Sequence, residues 1–166
     1  MSDLLDLVTS NATWHVGPYA EVRVGEHVTR YVRRGTGPSV VLVGADANTN
    51  PVVLPLITTI APNHRLIVPQ TPAADDLASW LRGFIEDLGL AEIALITGDI
   101  PAAAATELAA TDDFTIRKLV VLPQRSAQVR SNSRHSSDRI LWVDAAWSAD
   151  MAVTRITSFI ADEAAA

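Results

Sequence analysis

Four short, continuous apolar runs constrain the fold of this chain more than any other feature. They are Ser39–Val43, Leu66–Val68, Ile93–Ile96 and Leu119–Leu122. Runs of this length without polar alternation are typical of parallel strands that are buried on both faces. Parallel strands need crossover connections, which helices usually supply. The sequence therefore predicts an α/β protein in which a mostly parallel sheet carries helices on both faces.

Helical patterns occupy the intervals between these runs. Between the second and third runs, apolar residues repeat at helical spacing: Leu77, Trp80, Leu81, Phe84, Ile85 and Leu88. Gly89 then predicts the C-terminal cap of that helix. Asn50 and Pro51 predict the start of an earlier helix, with Asn50 as its N-cap. After a further strand at residues 140–143, Ser148 predicts the N-cap of the last helix.

Composition indicates one domain over residues 1–166, because 48% of the 166 residues are hydrophobic and 19% are charged. The net charge of -6 argues against nucleic-acid binding, which needs a basic face. The absence of cysteine excludes disulfides and thiolate catalysis. No apolar run is long enough to cross a membrane, and acids stand where a signal peptide would carry basic residues. We therefore expect a cytoplasmic protein.

Two segments differ in character from the rest of the domain. Residues 1–12 predict a short amphipathic segment, with leucines and Val8 free to pack on the domain or on a partner. Residues 124–139 are rich in serine, arginine and asparagine and are nearly free of large apolar side chains. Such a composition predicts a flexible polar loop.

The stretch from Ala94 to Ala110 reads as a buried strand, a sharp turn at Asp99 and an alanine-rich helix. It resembles the nucleophile elbow of the α/β-hydrolases, whose pattern GxSxG holds a serine above the sheet beside backbone donors. The aligned positions in this chain are Thr97 to Pro101. Asp99 therefore stands at the serine position, and neither of the framing glycines is present.

The resemblance covers residues 20–123 in order. Tyr31–Val43 resembles the hairpin and first core strand of the family, and His64–Gln70 its next strand. Asp75–Leu90 resembles the helix before the elbow, and Arg117–Pro123 the strand after it. Too few residues follow for the family's lid and the strand that bears its triad acid. The resemblance thus implies a reduced α/β-hydrolase-like fold without a lid domain, with residues 124–139 in place of the lid.

The family's catalytic histidine follows the last core strand, and the corresponding junction Val143–Ser148 contains none. Two of the four histidines, His15 and His27, precede the core, while His64 lies before a strand, at the wrong end of the sheet. His135 could reach the site only if the polar loop folded back. Without a base, neither a serine-type nor an aspartyl-enzyme cycle would turn over. The strand at 140–143 replaces either the family's penultimate strand or its last; we favour the last.

An aspartate at the elbow also resembles the haloalkane dehalogenases and epoxide hydrolases, which use it as a nucleophile. That resemblance implies that Asp99 attacks an electrophilic carbon. The Ile100 amide and a donor near Ala45 or Asp46 would then occupy the oxyanion-hole positions. The alternative is structural: Asp99 caps the helix, where its charge is favoured by the helix dipole.

Polar residues also follow the apolar strands at their carboxyl ends: Asp46, Gln70, Asp99 and Asp144. In open α/β sheets this end forms the ligand crevice. Paired carboxylates there could share acid and base roles in a cyclase, isomerase or lyase reaction. They could instead hold Mg²⁺ or Ca²⁺, or serve only to form turns. Trp147, next to the position of the missing histidine, could wall an apolar pocket.

We interpret the chain as a degenerate α/β-hydrolase-like protein that binds a small apolar or acyl-type ligand, or a partner protein, without serine-hydrolase activity. The candidate catalytic residues are Asp99, Asp46 and Asp144, and the candidate ligand-binding residues are Ala45, Gln70, Ile100 and Trp147. No cofactor and no metal are predicted, and we expect a homodimer. The alternative is an enzyme that uses Asp99 as nucleophile or the strand-end aspartates as acid and base.

Overall fold

Strands and helices alternate through most of the chain. The computed structural model describes residues 19–45, 50–111, 116–122 and 138–161. The strands are β1 (Ala20–Val24), β2 (His27–Arg34), β3 (Ser39–Val43), β4 (Arg65–Pro69), β5 (Ile93–Thr97), β6 (Ile116–Val121) and β7 (Ile140–Trp142). The helices are α1 (Val53–Ile60), α2 (Leu77–Asp87), α3 (Asp99–Ala110) and α4 (Ala149–Ala161).

The strands form one seven-stranded sheet in the order β1-β2-β4-β3-β5-β6-β7. β4, β3, β5, β6 and β7 are parallel to one another, whereas β1 pairs antiparallel with β2, and β2 pairs antiparallel with β4. Each of the four apolar runs lies on one of the parallel strands. The mostly parallel sheet predicted from these runs is confirmed.

Two apolar clusters cover the two faces of the sheet. One face packs against α1 and α4 through residues such as Leu56 and Ile156. The opposite face packs against α2 and α3 through residues such as Phe84 and Leu108. Successive residues of the parallel strands point to opposite faces, so a strand such as β3 contributes to both clusters. Burial on both faces is the physical reason that these strands show no polar alternation.

The resemblance implied a hairpin that begins at Tyr31, ahead of the first core strand; in the structure β1 and β2 form the hairpin, which ends at Arg34. Its strands are joined by the two-residue turn Gly25–Glu26, where Gly25 has the φ of 58° that such a turn requires at its first position. Tyr31 pairs with Ala20 on one side and with Pro69 at the end of β4 on the other. The hairpin therefore extends beyond the carboxyl end of the parallel strands. Its alternating charged and apolar residues are typical of a half-exposed edge strand.

The helix ends agree with the sequence at two of three positions. Gly89, at φ 60°, follows the C-cap Leu88 of α2, and its N–H and that of Leu90 bond to carbonyls of the last helical turn, as predicted for a C-terminal cap. The Ser148 hydroxyl accepts a hydrogen bond from the Met151 N–H, which confirms it as the cap of α4. The prediction for Asn50 is wrong: α1 begins at Val53, and the Asn50 side chain accepts the Val52 N–H in the preceding turn.

Asp76 is the N-cap of α2. Its two carboxylate oxygens accept hydrogen bonds from the Ser79 N–H at 2.9 Å and the Ser79 hydroxyl at 2.6 Å. The bond from the Ser79 hydroxyl, followed by the bond from the Ser79 N–H, holds the pKa of this exposed carboxyl below its ordinary value. Both bonds favour the charged form, which is the form that caps the helix best.

We expect the stabilisation from Asp76 to depend on pH. A carboxyl whose pKa is lower in the folded state contributes stability above its unfolded pKa and loses it as the pH falls through its folded pKa. The difference in free energy of unfolding between the wild type and Asp76→Ala should therefore be full at neutral pH and should shrink below about pH 4. Urea titrations across this range measure it. Asp76→Asn is the matched control, because its amide oxygen still caps the helix but does not titrate. If the difference in free energy of unfolding between the wild type and Asp76→Ala stays the same at every pH, the charged carboxylate of Asp76 is not what stabilises the helix.

Two predicted features fall outside the described residues. The amphipathic segment at 1–12 and all but the last two residues of the polar loop at 124–139 belong to them. Among the described residues, no helix has the length and apolar character needed to cross a membrane.

Candidate active site

The candidate site lies between β3 and β5, where the order of successive strands across the sheet changes direction. β3 and β5 are adjacent and parallel, but the helices that follow them, α1 and α3, cover opposite faces. The two connections therefore diverge at the carboxyl end of the sheet, and we call the region between them the crevice. In open α/β sheets such a switch point is where ligands bind.

Gly44 and Gly98 lie in close contact at the base of this crevice. Gly98 donates its N–H to the Val43 carbonyl at 3.1 Å, so the turn after β5 is tied to the end of β3. A Cβ atom placed on Gly98 would lie 2.2 Å from the Gly44 carbonyl oxygen. Only glycine allows the two backbones to approach this closely.

Pro101 occupies the space that the absent side chain of Gly44 leaves open. A Cβ atom on Gly44 would lie 2.6 Å from Pro101 Cγ and 2.7 Å from Cδ, and Gly44 has a φ of +64°. Pro101 is buried in the first turn of α3, where the missing proline N–H removes no intrahelical bond. The proline at the position of a family glycine is therefore accommodated by a glycine on the neighbouring connection.

Asp99 is the first residue of α3, and Gly98 is the N-cap. The preceding Thr97 is fully buried, and its hydroxyl donates a hydrogen bond to the Gly98 carbonyl at 2.8 Å. This bond holds the turn on its buried side. Asp99 thus occupies the strand-to-helix turn at the centre of the sheet, as the sequence predicts. The side chains of Asp99 and Ile100 lie outside the description.

The other candidates follow different strands at the same end of the sheet. Ala45, after β3, is half-buried against the apolar cluster beneath α1 and α4, whereas Asp46 lies in the gap at 46–49 outside the described residues. Gln70, after β4, is exposed, and its N–H bonds to the Arg30 carbonyl at 2.8 Å. Ala45 and Gln70 thus lie at the ends of neighbouring strands.

Asp144 and Trp147 belong to the connection between β7 and α4. The exposed Asp144 carboxylate accepts the Ala146 N–H at 2.8 Å, and its carbonyl accepts the Trp147 N–H at 3.0 Å, which makes it a turn-forming residue. Trp147 is half-buried against the apolar cluster beneath α4, and the Arg155 guanidinium lies 4.6 Å from its ring centre. β7 pairs directly with β6.

Strand spacing determines which candidates can act together. Neighbouring strands lie about 4.8 Å apart, so the ends of β3 and β5 are adjacent, whereas the end of β7 is about 10 Å from that of β5. The ends of β4 and β7 are separated by about 19 Å. The strand order therefore brings together the connections that carry Asp46 and Asp99, and it separates Gln70 from Asp144.

Neither described histidine lies beside the turn at Asp99. His64 precedes β4 at the amino end of the sheet, and its Nδ1 lies 3.1 Å from the Ile60 carbonyl. His27 begins β2 at the hairpin turn, on a strand separated from β5 by β4 and β3. Within the described ranges, no group of three or more histidine, aspartate or glutamate side chains is placed to hold a metal ion.

The roles of Gly44, Thr97 and Pro101 were not predicted. The available signal for Gly44 and Gly98 was their position, because each glycine directly follows a strand, and the two strands, β3 and β5, are neighbours in the sheet. The contact between Gly44 and Pro101 joins residues far apart in sequence, so no local pattern indicates it.

Comparisons with known proteins identify the fold. No protein-family model and no curated protein matches the sequence. Among solved structures, haloalkane dehalogenase DbeA of Bradyrhizobium elkani USDA94 is 22% identical with a TM-score of 0.52, over 62% of this chain and 40% of its own. The Cif epoxide hydrolase of Acinetobacter nosocomialis is 19% identical with a TM-score of 0.51, over 62% of this chain and 36% of its own.

A reconstructed ancestral haloalkane dehalogenase is similar at 24% identity and a TM-score of 0.51, over 61% of this chain and 40% of its own. The sheet order and these similarities show an α/β-hydrolase fold over about three fifths of the chain. The chain spans about two fifths of the length of the structures that it matches.

Proposed function

We propose that this α/β-hydrolase-fold domain binds a small apolar or acyl-type ligand in the crevice between β3 and β5, without serine-hydrolase chemistry. The observation that carries the proposal is the contact of Gly44 with Gly98 at the switch point of the sheet. The contact ties the two connections together at the base of the crevice, where backbone amides would be the polar partners of a ligand.

Two features of the described chain support binding without hydrolysis. Asp99 replaces the serine of the elbow pattern, and the junction before α4 carries Asp144 and Trp147 instead of a histidine. His64 is at the opposite end of the sheet, and His27 is about three strand spacings from β5. A bound ester would meet no described histidine that could activate a nucleophile or a water.

We assign the ligand contacts by position. Ala45 and Ile100 would provide backbone donors on the two sides of the crevice, and Trp147 would provide an apolar wall. Asp99 and Asp46 would stand at its mouth. Gln70 and Asp144 follow strands farther out, and the Asp144 carboxylate already accepts the Ala146 N–H. We therefore place these two at the margin of the site.

An NMR titration tests the binding proposal. With ¹⁵N-labelled protein and 1-hexanol or hexanoate as probes, we expect the amide signals of Ala45 and Gly98 to shift with saturation. Gly35 and Gly89, at the amino end of the sheet, are internal controls whose signals should stay in place. If neither probe moves Ala45 or Gly98, the binding proposal is wrong.

A parallel assay with p-nitrophenyl butyrate tests the absence of hydrolysis. We expect the wild type to release nitrophenol no faster than Asp99→Ala does. Turnover by the wild type that Asp99→Ala abolishes would overturn the proposal in favour of an enzyme. Loss of the same turnover in Asp87→Asn, an exposed carboxylate on α2, would point to a general effect of charge instead.

A second candidate is nucleophilic attack by Asp99. It is favoured by the position of Asp99 at the turn and by the similarity to structures of haloalkane dehalogenases and an epoxide hydrolase. With 1-bromohexane, a carboxylate oxygen would form a bond to the carbon that bears bromine, and bromide would leave with the electron pair of the broken bond. Without a base to activate water, the resulting ester would persist.

Intact-mass spectrometry distinguishes this candidate from simple binding. Under the nucleophile candidate, incubation with 1-bromohexane adds one hexyl group to the wild type and none to Asp99→Asn. Under simple binding, both proteins keep their mass. Labelling of both proteins would place the reactive group elsewhere.

A further inference from the structure

Among the described strands, β1 forms the edge of the sheet on the hairpin side. β1 is the first strand in the sheet order and pairs only with β2 among the described strands. Its charged residues, Glu21 and Arg23, are both exposed and have opposite charges. An open strand edge is a template for pairing with another strand.

The hairpin geometry identifies which backbone groups point outward. In the turn Gly25–Glu26, Val24 and His27 are the flanking pair, and such turns are closed by a hydrogen bond between these residues. Hydrogen-bonded and non-hydrogen-bonded pairs alternate along an antiparallel ladder. Ala20, Val22 and Val24 therefore direct their backbone groups toward β2, and Glu21 and Arg23 direct theirs away from it.

An independent hydrogen bond supports this assignment of inward-facing and outward-facing residues along β1. The Arg30 carbonyl accepts the Gln70 N–H at 2.8 Å, so the backbone of Arg30 faces β4 and not β1. Arg30 is the partner of Glu21 in the β1–β2 register. Glu21 and Arg30 are thus a non-hydrogen-bonded pair, and the N–H and C=O of Glu21 face the open side.

We propose that a second copy of this chain pairs with β1 through this edge, in an antiparallel arrangement centred on Val22. A two-fold axis at Val22 places Glu21 opposite Arg23 of the second copy, and Arg23 opposite its Glu21. Each of these pairs exchanges two backbone hydrogen bonds, because both residues present their N–H and C=O outward.

Charge complementarity selects a second copy as the occupant. In the centred register the two charged positions meet their opposites on both sides of the axis, and directly opposed charges stabilise strand pairing. Arg23 is exposed and makes no ion pair within the described ranges. Glu21 already lies 3.0 Å from Arg30 Nε, so it would stand between two arginines in the dimer.

The position of the hairpin leaves room for this pairing. Because Ala20 is level with the end of β4, most of β1 projects beyond the parallel strands. The face of β1 that carries Val22 and Val24 is covered by α2, while Val28 on the neighbouring strand is 54% exposed. Pairing through β1 does not depend on the proposed ligand site.

Complementary charge variants test the dimer with the full chain. Analytical ultracentrifugation of the wild type should show a monomer–dimer equilibrium. Arg23→Glu and Glu21→Arg should each weaken it on the order of tenfold or more, because like charges then oppose each other at both pairs. An equimolar mixture of the two variants should dimerise about as well as the wild type. Arg23→Glu has two acidic residues on β1 and Glu21→Arg has two basic ones, so each copy then meets opposite charges on the other.

Arg23→Pro provides a second variant, because it removes an outward N–H that takes no part in the β1–β2 pairing and has no partner among the described residues. It should abolish the dimer while its circular dichroism spectrum and Tm stay close to those of the wild type. A wild type that stays monomeric at the highest soluble concentration overturns the proposal. A dimer that is indifferent to Arg23→Pro, or charge variants that fail to complement each other, also overturns it, because pairing then occurs elsewhere.

Discussion

Replacing Gly98 with alanine is expected to lower the free energy of unfolding by about 3 kcal/mol. The new Cβ would lie 2.2 Å from the Gly44 carbonyl oxygen, which is a backbone atom at the end of a buried strand. Gly98 has φ -79° and ψ -172°, an extended conformation that alanine adopts freely. The whole cost is therefore steric, and urea denaturation of the two proteins measures it.

Gly83→Ala is the comparison for this variant. Its Cβ would lie 2.7 Å from Val24 Cγ1, a methyl group that can rotate or shift. Alanine also improves helix propensity by up to about 1 kcal/mol in the middle of α2, which offsets part of the contact. We expect a clearly smaller loss than for Gly98→Ala; equal losses would mean that the turn after β5 is free to move away from β3.

Gly44→Ala is expected to lower the free energy of unfolding by roughly 3 kcal/mol, from two sources that can be separated. The φ of +64° costs a residue with a Cβ about 1–2 kcal/mol. The contact at 2.6 Å with Pro101 Cγ adds a steric cost of about 1–3 kcal/mol. The measurement is urea denaturation of the two single variants, Gly44→Ala and Pro101→Ala, and of their double variant.

The double-mutant cycle isolates the contact between these residues. In Gly44→Ala/Pro101→Ala the ring no longer meets the new methyl group, so the double variant should be more stable than the sum of the single losses predicts. Gly89→Ala is the control for the backbone, because it has a φ of +60° and nothing within 4 Å of the added Cβ. If Gly44→Ala loses no more stability than Gly89→Ala, Pro101 does not fill the space over Gly44.

These contacts give a physical account of the altered elbow. Pro101 stands where the resemblance has a glycine, and it fits because the residue opposite it on the next connection is Gly44. In the family pattern, glycines within the turn allow it to close tightly. In this chain, Gly98 in the turn after β5 and Gly44 in the connection after β3 together allow the two backbones to approach closely. The departure from the pattern is therefore compatible with a tightly closed turn at Asp99.

Much of the architecture could be predicted because parallel strands buried on both faces leave a distinctive pattern. Val40 to Val43 and Ile93 to Ile96 are buried at every position, and short continuous apolar runs are typical of strands that are covered on both faces. β1 escaped prediction because its alternation of Glu21 and Arg23 with small apolar residues is shared by exposed loops and edge strands. Asn50 carried a valid capping signal, but its side chain stabilises a turn that precedes the helix by two residues.

The sequence by itself determined the elements that depend on neighbours in the chain. These are the buried strands, the caps at Gly89 and Ser148, and the strand-to-helix turn at Asp99. Only the tertiary structure decided which connections meet, because strand order depends on the packing of two helical layers on opposite faces of the sheet. That order set Gly44 against Gly98 and Pro101, and it separated the ends of β4 and β7.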